Sequence, residues 1–99
     1  MKQNKKIEPI VERTLFLKNT VSGETKKLSI RIGTPYWSIE GEIALCPVKI
    51  LGLGGRVRDI VGIDPMQALV FALRFVESQL RELPQSMLLL WPSGEKFEL

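Results

Sequence analysis

The sequence predicts an α+β fold, in which an antiparallel sheet of about five strands packs one face against a single long helix. Three observations lead to this fold class. Residues 28–32 alternate apolar and polar side chains, the pattern of a strand with one buried face. Residues 64–84 show the cap, the apolar periodicity and the terminal proline of an amphipathic helix. Short segments rich in Gly, Asn, Ser and Pro separate the other apolar runs, as turns between strands do.

Four strands are predicted before the helix and one after it. They cover residues 11–18, 28–32, 43–50, 56–61 and 87–91. Because short segments join the first four strands, we expect them to form an antiparallel meander. Residues 36–41 are predicted as a connecting loop, since the Gly-Thr-Pro sequence at 33–35 breaks the second strand. Pro47 cannot donate a ladder hydrogen bond, so it is expected at a sheet edge or a bulge.

The helix is predicted to begin after Asp64 and to end at Pro84. Asp64 is a favourable N-cap, Pro65 suits the first helical position, and Gln67 follows the cap by three residues as in a capping box. The apolar stripe that should face the sheet consists of Met66, Leu69, Val70, Leu73, Val76 and Leu80. A helix of roughly 19 residues is about 28 Å long, which is enough to cover one face of the sheet.

The basic excess of the chain is concentrated at its N-terminus. Residues 1–8 are predicted to be a disordered basic tail, and residues 9–99 to form a single domain. The chain has 14 Lys and Arg against 11 Asp and Glu, and Lys2, Lys5 and Lys6 account for the difference. A nucleic-acid binder normally carries a basic stripe on its folded surface. This charge distribution therefore argues against nucleic acid as the main partner.

Neither an extracellular nor a membrane location is predicted. The single cysteine, Cys46, excludes an intrachain disulfide, and no apolar signal-peptide core follows residues 1–6. No run approaches the length of about 18 apolar residues that a transmembrane helix needs. We therefore expect a cytoplasmic protein that does not insert into membranes.

The chain contains no histidine, which removes much of the usual chemistry of active sites. Histidine is the commonest general base and metal ligand, and it activates the nucleophile in Ser-His and Cys-His pairs. Cys46 lies in an apolar strand, where a thiol is usually an inert, buried group. We therefore expect no catalytic residue, no metal site and no cofactor, in a protein that is not an enzyme.

Residues 52–56, Gly-Leu-Gly-Gly-Arg, share only their glycines with phosphate-binding loops. They lack the Gly-Lys-Ser/Thr ending, and a strand-like segment rather than a helix follows them. A turn is therefore the preferred interpretation. Arg56, Arg58 and Asp59 then follow within a few residues of one another. A solvent-facing arginine and a capping carboxylate account for these side chains more simply than ligand binding does.

Two phenylalanines are the first candidates for a binding surface. Phe71 and Phe75 lie one helical turn apart on the polar flank of the predicted helix. Such a contiguous apolar patch is typical of a partner surface. The alternative, which the residues leave open, is that the C-terminal segment 91–99 folds over both rings.

The strands supply three further candidates, Tyr36, Trp37 and Arg31. Tyr36 and Trp37 are either amphipathic anchors of the kind found at binding hot spots or core residues at one end of the sheet. Arg31 is predicted to point, with Lys27 and Ser29, from the sheet face that the helix leaves open. That face is either solvated or part of a binding surface.

Three segments of the chain resemble a known family. They are the Gly-Arg-x-Arg strand within 52–60, the Asp-x-x-Gln-Ala-Leu helix start at 64–69, and the closing Trp-Pro within 89–94. The combination resembles a family of small bacterial α+β proteins that is classed as a domain of unknown function. The resemblance covers about half of the chain, and Pro65 stands where the family pattern has Ser. It implies a bacterial cytoplasmic protein and supplies no catalytic residue.

The sequence thus favours a non-enzymatic module that binds an unidentified protein or forms a homodimer through the Phe71 and Phe75 face. Apolar residues outside the buried stripe need a partner, whereas no reactive group needs a substrate. The alternative is weak nucleic-acid binding through the basic tail and the open sheet face. In that case Tyr36 or Trp37 would stack on bases.

Overall fold

The computed structural model describes residues 8–99 and confirms an α+β fold. Within this range, six strands form one antiparallel sheet, and a single helix packs on it. The elements are β1 (Pro9–Asn19), β2 (Thr25–Gly33), β3 (Tyr36–Ile39), β4 (Ile43–Leu51), β5 (Arg58–Gly62), α1 (Pro65–Arg81) and β6 (Met87–Leu90). The predicted basic tail, apart from Glu8, lies outside the described residues. No helix in the described part of the chain is long and apolar enough to cross a membrane.

The strand order differs from the predicted simple meander, which is therefore wrong. The sheet has the order β3-β4-β2-β1-β6, and β5 pairs with β4 outside this path. β2 and β3 both pair with β4, through Ile32 opposite Val48 and through Tyr36 opposite Leu45. Between these two pairs, the three residues 33–35 lie opposite only two residues of β4, 46 and 47, which is the signature of a bulge. The breaker at 33–35 therefore interrupts the strand without reversing it, and the predicted loop at 36–41 begins as a strand.

Pro47 lies where the partner of β4 changes. On one edge, β4 pairs with β5 from Ala44 to Val48. Val48 also pairs with β2, and Leu45 with β3, so both of these strands lie on the other edge. Pro47 falls in the gap between them, where an interrupted ladder costs little.

Local residues of the sequence explain where α1 begins and where it ends. The Asp64 side chain accepts a hydrogen bond from the Gln67 backbone N–H at 2.7 Å. The Gln67 side chain in turn accepts one from the Ile63 N–H at 2.8 Å, so two donors at the helix start are satisfied. The helix ends at Arg81, whose positive charge suits the C-terminal end of the helix dipole.

Small residues determine how α1 sits on the sheet. The helix packs mainly on β4 and β5, with Ala68 and Ala72 fully buried. At Gly62 on β5, an added Cβ would lie only 2.4 Å from the Ala68 backbone nitrogen. Because of this close approach, the helix faces the sheet with its alanines rather than with the centre of the predicted apolar stripe. That stripe is therefore only partly buried. Met66, Val70 and Leu73 of that stripe are exposed.

The core lies between this helix and one face of the sheet. It is built from Leu15, Leu17, Leu28, Ile30, Ile32, Ala44, Cys46, Val48, Ile50, Ala68, Ala72, Leu80 and Leu89. The segment after β6 folds back on it, because the Phe97 N–H donates to the Leu89 carbonyl at 2.9 Å. The Trp91 and Phe97 rings meet edge to face with centroids 4.9 Å apart. The Arg13 guanidinium lies over both rings, at 5.2 and 5.4 Å.

Candidate functional site

An apolar groove of about 620 Å³ runs between α1 and the neighbouring strands β1 and β2. It lies beside α1, which rests mainly on β4 and β5, along the same face of β1 and β2. Its apolar lining comes from Val11, Ile30, Ile32, Leu73, Val76 and Leu80, together with Phe97 and Leu99 of the C-terminal segment. We call this feature the helix groove.

The helix groove continues onto exposed aliphatic side chains of α1. Leu73 is 52% exposed and Val11, across the groove, is 50% exposed. Met66, 77% exposed, and Val70 precede Leu73 at helical spacing and extend the same flank. Exposed apolar residues that lie together mark interaction sites far more often than scattered ones do.

The rim of the helix groove carries more negative than positive charge. Glu77 and Glu98 line it, against one basic residue, Arg13, while the carboxylate of Glu12, a third acidic lining residue, is paired with Arg31. The Arg13 guanidinium is already engaged over the Trp91 and Phe97 rings. The groove therefore combines an apolar floor with an acidic border.

The two predicted phenylalanines lie on the other flank of α1 and differ in burial. Phe71 is 36% exposed, and the Arg74 guanidinium lies 5.8 Å from its ring centroid. Phe75 is partly buried against the core, with Arg58 at the same 5.8 Å distance. The C-terminal segment, which the sequence offers as their cover, packs instead beside Leu80 on the groove side.

The two predicted aromatic anchors of β3 point to opposite faces of the sheet. Residues directly opposite each other in an antiparallel pair share a face, and neighbours along a strand alternate. Trp37 opposes Ala44, a core residue, and so lies on the face that carries α1. Tyr36 opposes Leu45 and lies on the outer face. Both rings are exposed, but the structure does not join them into one surface.

Arg31 lies on the outer face of the sheet, and its charge is paired. Its Nε atom is 2.6 Å from a carboxylate oxygen of Glu12, the residue opposite it on β1. Ser29, which the sequence places on an open face, is only 7% exposed between Thr14 and Leu51. The outer face therefore offers fewer free cations than the alternating pattern of β2 implies.

Cys46 lies under the helix as an inert thiol. Its side chain is fully buried, and its Sγ atom is 3.6 Å from the Gly33 carbonyl. Burial, and secondarily the negative charge of Asp59, raise its pKa from 9.0 to about 11. The thiol is therefore protonated at neutral pH and is a poor nucleophile. Within residues 8–99, no three Cys, Asp or Glu side chains gather as a metal site requires.

The sequence analysis does not predict the helix groove, and the reason can be identified. The apolar periodicity of α1 places Leu73 in the buried stripe, although half of its surface is open. The signal for this orientation of the helix lay in Ala68 and Ala72, which allow the closest approach to a strand that ends in Gly62. Side chains without bulk contribute little to an apolar pattern but strongly to helix placement.

Comparison with known proteins places the chain in a family without assigning an activity. No curated protein and no solved structure matches it. Residues 11–97, nearly the whole chain, match the family model described as Domain of unknown function (DUF6968). The match agrees with the resemblance carried by the glycine turn, the helix start and the Trp-Pro segment. The chain belongs to the DUF6968 family.

Proposed function

We propose that this protein is a non-enzymatic binding module whose helix groove receives an apolar segment of another protein. The observation that carries the proposal is the continuous row of exposed Met66, Val70 and Leu73 that leads into the groove. Burial of these side chains stabilises a complex by roughly 25 cal/mol for every Å² of apolar surface that a partner removes from water. A surface of this kind is stabilised by a protein segment that supplies matching apolar side chains.

The acidic rim defines the chemistry of the partner. Glu77 and Glu98 border the groove, and the Glu77 carboxylate is only loosely paired with Arg81, at 3.7 Å with both side chains exposed. A segment with Lys or Arg beside its apolar residues would be attracted to this border and held in one orientation. The proposed occupant is therefore an apolar segment flanked by basic residues.

A binding role also accounts for the missing reaction chemistry. The chain has no histidine, and its one thiol is buried and protonated at neutral pH. The lone buried cysteine suits a reducing compartment and the family resemblance implies a bacterial protein, so we propose that the interaction takes place in the bacterial cytoplasm.

Site-specific crosslinking in living cells tests the proposal. A photoreactive amino acid replaces Leu73 in the full chain, and in a control it replaces Val21, which is 85% exposed in the β1–β2 turn. We expect a crosslinked product at position 73 that is missing at position 21. Mass spectrometry then identifies the crosslinked segment. Equal products at both positions, or none at position 73, contradict the proposal, and so does a crosslink to a second copy of this chain.

The crosslinked segment must also bind as an isolated peptide. We expect Leu73→Glu to weaken the binding of the synthetic peptide at least tenfold, about 1.4 kcal/mol, and Val21→Glu to leave it unchanged. Glu77→Lys should weaken it as well, with a smaller effect at high salt, because it reverses a rim charge. A peptide without basic residues, or one that binds the Leu73→Glu variant as tightly as the native chain, overturns the assignment.

A further inference from the structure

We infer that a second cleft, on the opposite flank of α1, binds a small organic anion through Arg56 and Arg58. This cleft measures about 290 Å³ and lies between the 52–57 turn and the helix. It shares no lining residue with the helix groove, so the inference stands or falls independently of the proposed function.

The cleft combines an apolar floor with two guanidinium groups. Val48, Ile50 and Leu53 form the floor, and the Phe75 ring forms a wall. Arg56 and Arg58 line the opening, and no carboxylate is among the residues that line the cleft. Two like charges in a concave site raise the local positive potential and concentrate anions there.

Both arginines lack a carboxylate partner within the described residues 8–99. Arg31 and Arg81, by contrast, form ion pairs with Glu12 and Glu77. The guanidinium of Arg58 is held 5.8 Å from the Phe75 ring centroid, and this contact leaves its N–H groups available. Guanidinium groups bind carboxylates and phosphates through two parallel hydrogen bonds, so the pair is suited to an oxyanion.

The turn before Arg56 is fixed by backbone contacts. Gly52 has a φ of 107°, and a Cβ there would lie 2.9 Å from the Lys27 carbonyl oxygen, so this position requires glycine. The N–H groups of Leu53 and Gly55 both donate to the Ile50 carbonyl, at 3.3 and 3.1 Å. Arg56 directly follows this constrained turn and Arg58 is the first residue of β5, so the backbone of both is ordered before a ligand binds, which reduces the entropy lost on binding.

The shape of the cleft limits the ligand to a compact molecule. The apolar floor and the Phe75 wall suit an apolar or planar group, and the arginines suit the anionic end. A phosphate monoester and a carboxylate share this chemistry. Phenyl phosphate and benzoate are therefore the probes, with benzyl alcohol as a neutral control and inorganic phosphate as an anion without the planar group.

Titration of the ¹⁵N-labelled full chain, followed by NMR, tests the site. We expect saturable shifts of the Gly54, Arg56 and Gln79 amides with phenyl phosphate or benzoate, at roughly millimolar Kd or tighter. The tighter probe identifies the phosphate ester or the carboxylate as the ligand class. Shifts that fail to saturate, or equal affinity for benzyl alcohol, overturn the anion site. Equal affinity for inorganic phosphate overturns the inference that the ligand carries an organic group.

Arg74 provides a matched control for Arg58. Its guanidinium lies at the same 5.8 Å from a phenylalanine ring of the same helix, but it does not line the cleft. Arg58→Gln and Arg56→Gln should each weaken the tighter probe at least tenfold, and Arg74→Gln should change its Kd less than twofold. Arg56 is exposed, so its variant tests the site even where Arg58→Gln disturbs folding. Unchanged affinity in the Arg56→Gln variant contradicts the inference.

Discussion

The two flanks of α1 treat apolar side chains in different ways. On the groove flank, Met66, Val70 and Leu73 are exposed aliphatic side chains beside an acidic rim. On the cleft flank, Phe71 and Phe75 each lie under an arginine guanidinium. An arginine that stacks on an aromatic ring shields it while its charge stays in water. Exposed aliphatic chains have no comparable cover, so the groove flank is the better protein-binding surface.

The difference originates in the strip of α1 that lies between the two flanks and contacts the sheet through Ala68 and Ala72, a contact that we call the seam. Ala68 and Ala72 bring the helix close to β4 and β5, and Gly62 provides the space. A helix with larger residues in the seam would stand further from the sheet and turn its aliphatic stripe inward. The exposed groove is therefore a consequence of close packing a few ångströms away.

Adding a side chain within this seam should have the largest effect on the free energy of unfolding. Gly62→Ala places a Cβ against the Ala68 backbone, which cannot move aside, so we expect the free energy of unfolding to fall by about 3 kcal/mol. Urea denaturation measures the loss. Gly41→Ala is the control, because its Cβ meets no atom within 4 Å, and only its φ of 75° is unfavourable, at about 1 kcal/mol. Equal losses for the two variants would contradict the close seam.

Substitutions of the two phenylalanines should lower the free energy of unfolding by different amounts. Phe75→Ala removes a ring that packs on the core, and we expect a loss of about 2–3 kcal/mol in the free energy of unfolding. Phe71→Ala removes a more exposed ring and should cost less than about 1 kcal/mol. Denaturant midpoints at constant slope measure both. A loss for Phe71→Ala as large as that for Phe75→Ala would show that the cleft flank is covered in solution.

The thiol under the helix should make stability depend on pH above 9. Burial and Asp59 raise the Cys46 pKa from 9.0 to about 11, so the folded chain holds this proton more tightly than the unfolded chain. The resulting stabilisation is complete below pH 9 and is lost as pH rises toward 11. Urea denaturation at pH 8, 9 and 10 should therefore show a steeper decline for the native chain than for Cys46→Ala. Parallel declines in the two proteins would mean that water reaches the seam.

Local signals predict some elements of this fold well. The cap at Asp64 and Gln67 forms as expected, because it depends on residues three or four positions apart. Residues 28–32 form part of β2 for a similar reason, since alternation reflects the burial of a single face. Both features are determined within one turn or one strand.

Features that depend on two distant segments are not visible in such patterns. The segment at 33–35 has the composition of a turn, and only pairing with β4 makes it a bulge. The orientation of α1 depends on Gly62 meeting Ala68, a contact between elements. The helix groove follows from that orientation, so the candidate site was missed for the same reason as the helix orientation.

The smallest effect should come from the groove itself. Leu73 and Leu80 are seven residues apart and share one stripe of α1, yet Leu73 is 52% exposed and Leu80 only 4%. Leu73→Gln should therefore change the free energy of unfolding by less than about 0.5 kcal/mol. Leu80→Ala should lower it by about 2–3 kcal/mol. Urea denaturation of the two variants measures this contrast directly.

The contrast decides whether the groove is open in solution. Phe97 and Leu99 of the C-terminal segment line two pockets together with Leu80, and Leu73 lines one of these, the helix groove. If the segment moved along the groove to cover Leu73, the Leu73→Gln variant would lose well over 1 kcal/mol. A neutral result leaves an apolar surface that contributes nothing to folding, and such a surface gains free energy only when a partner covers it.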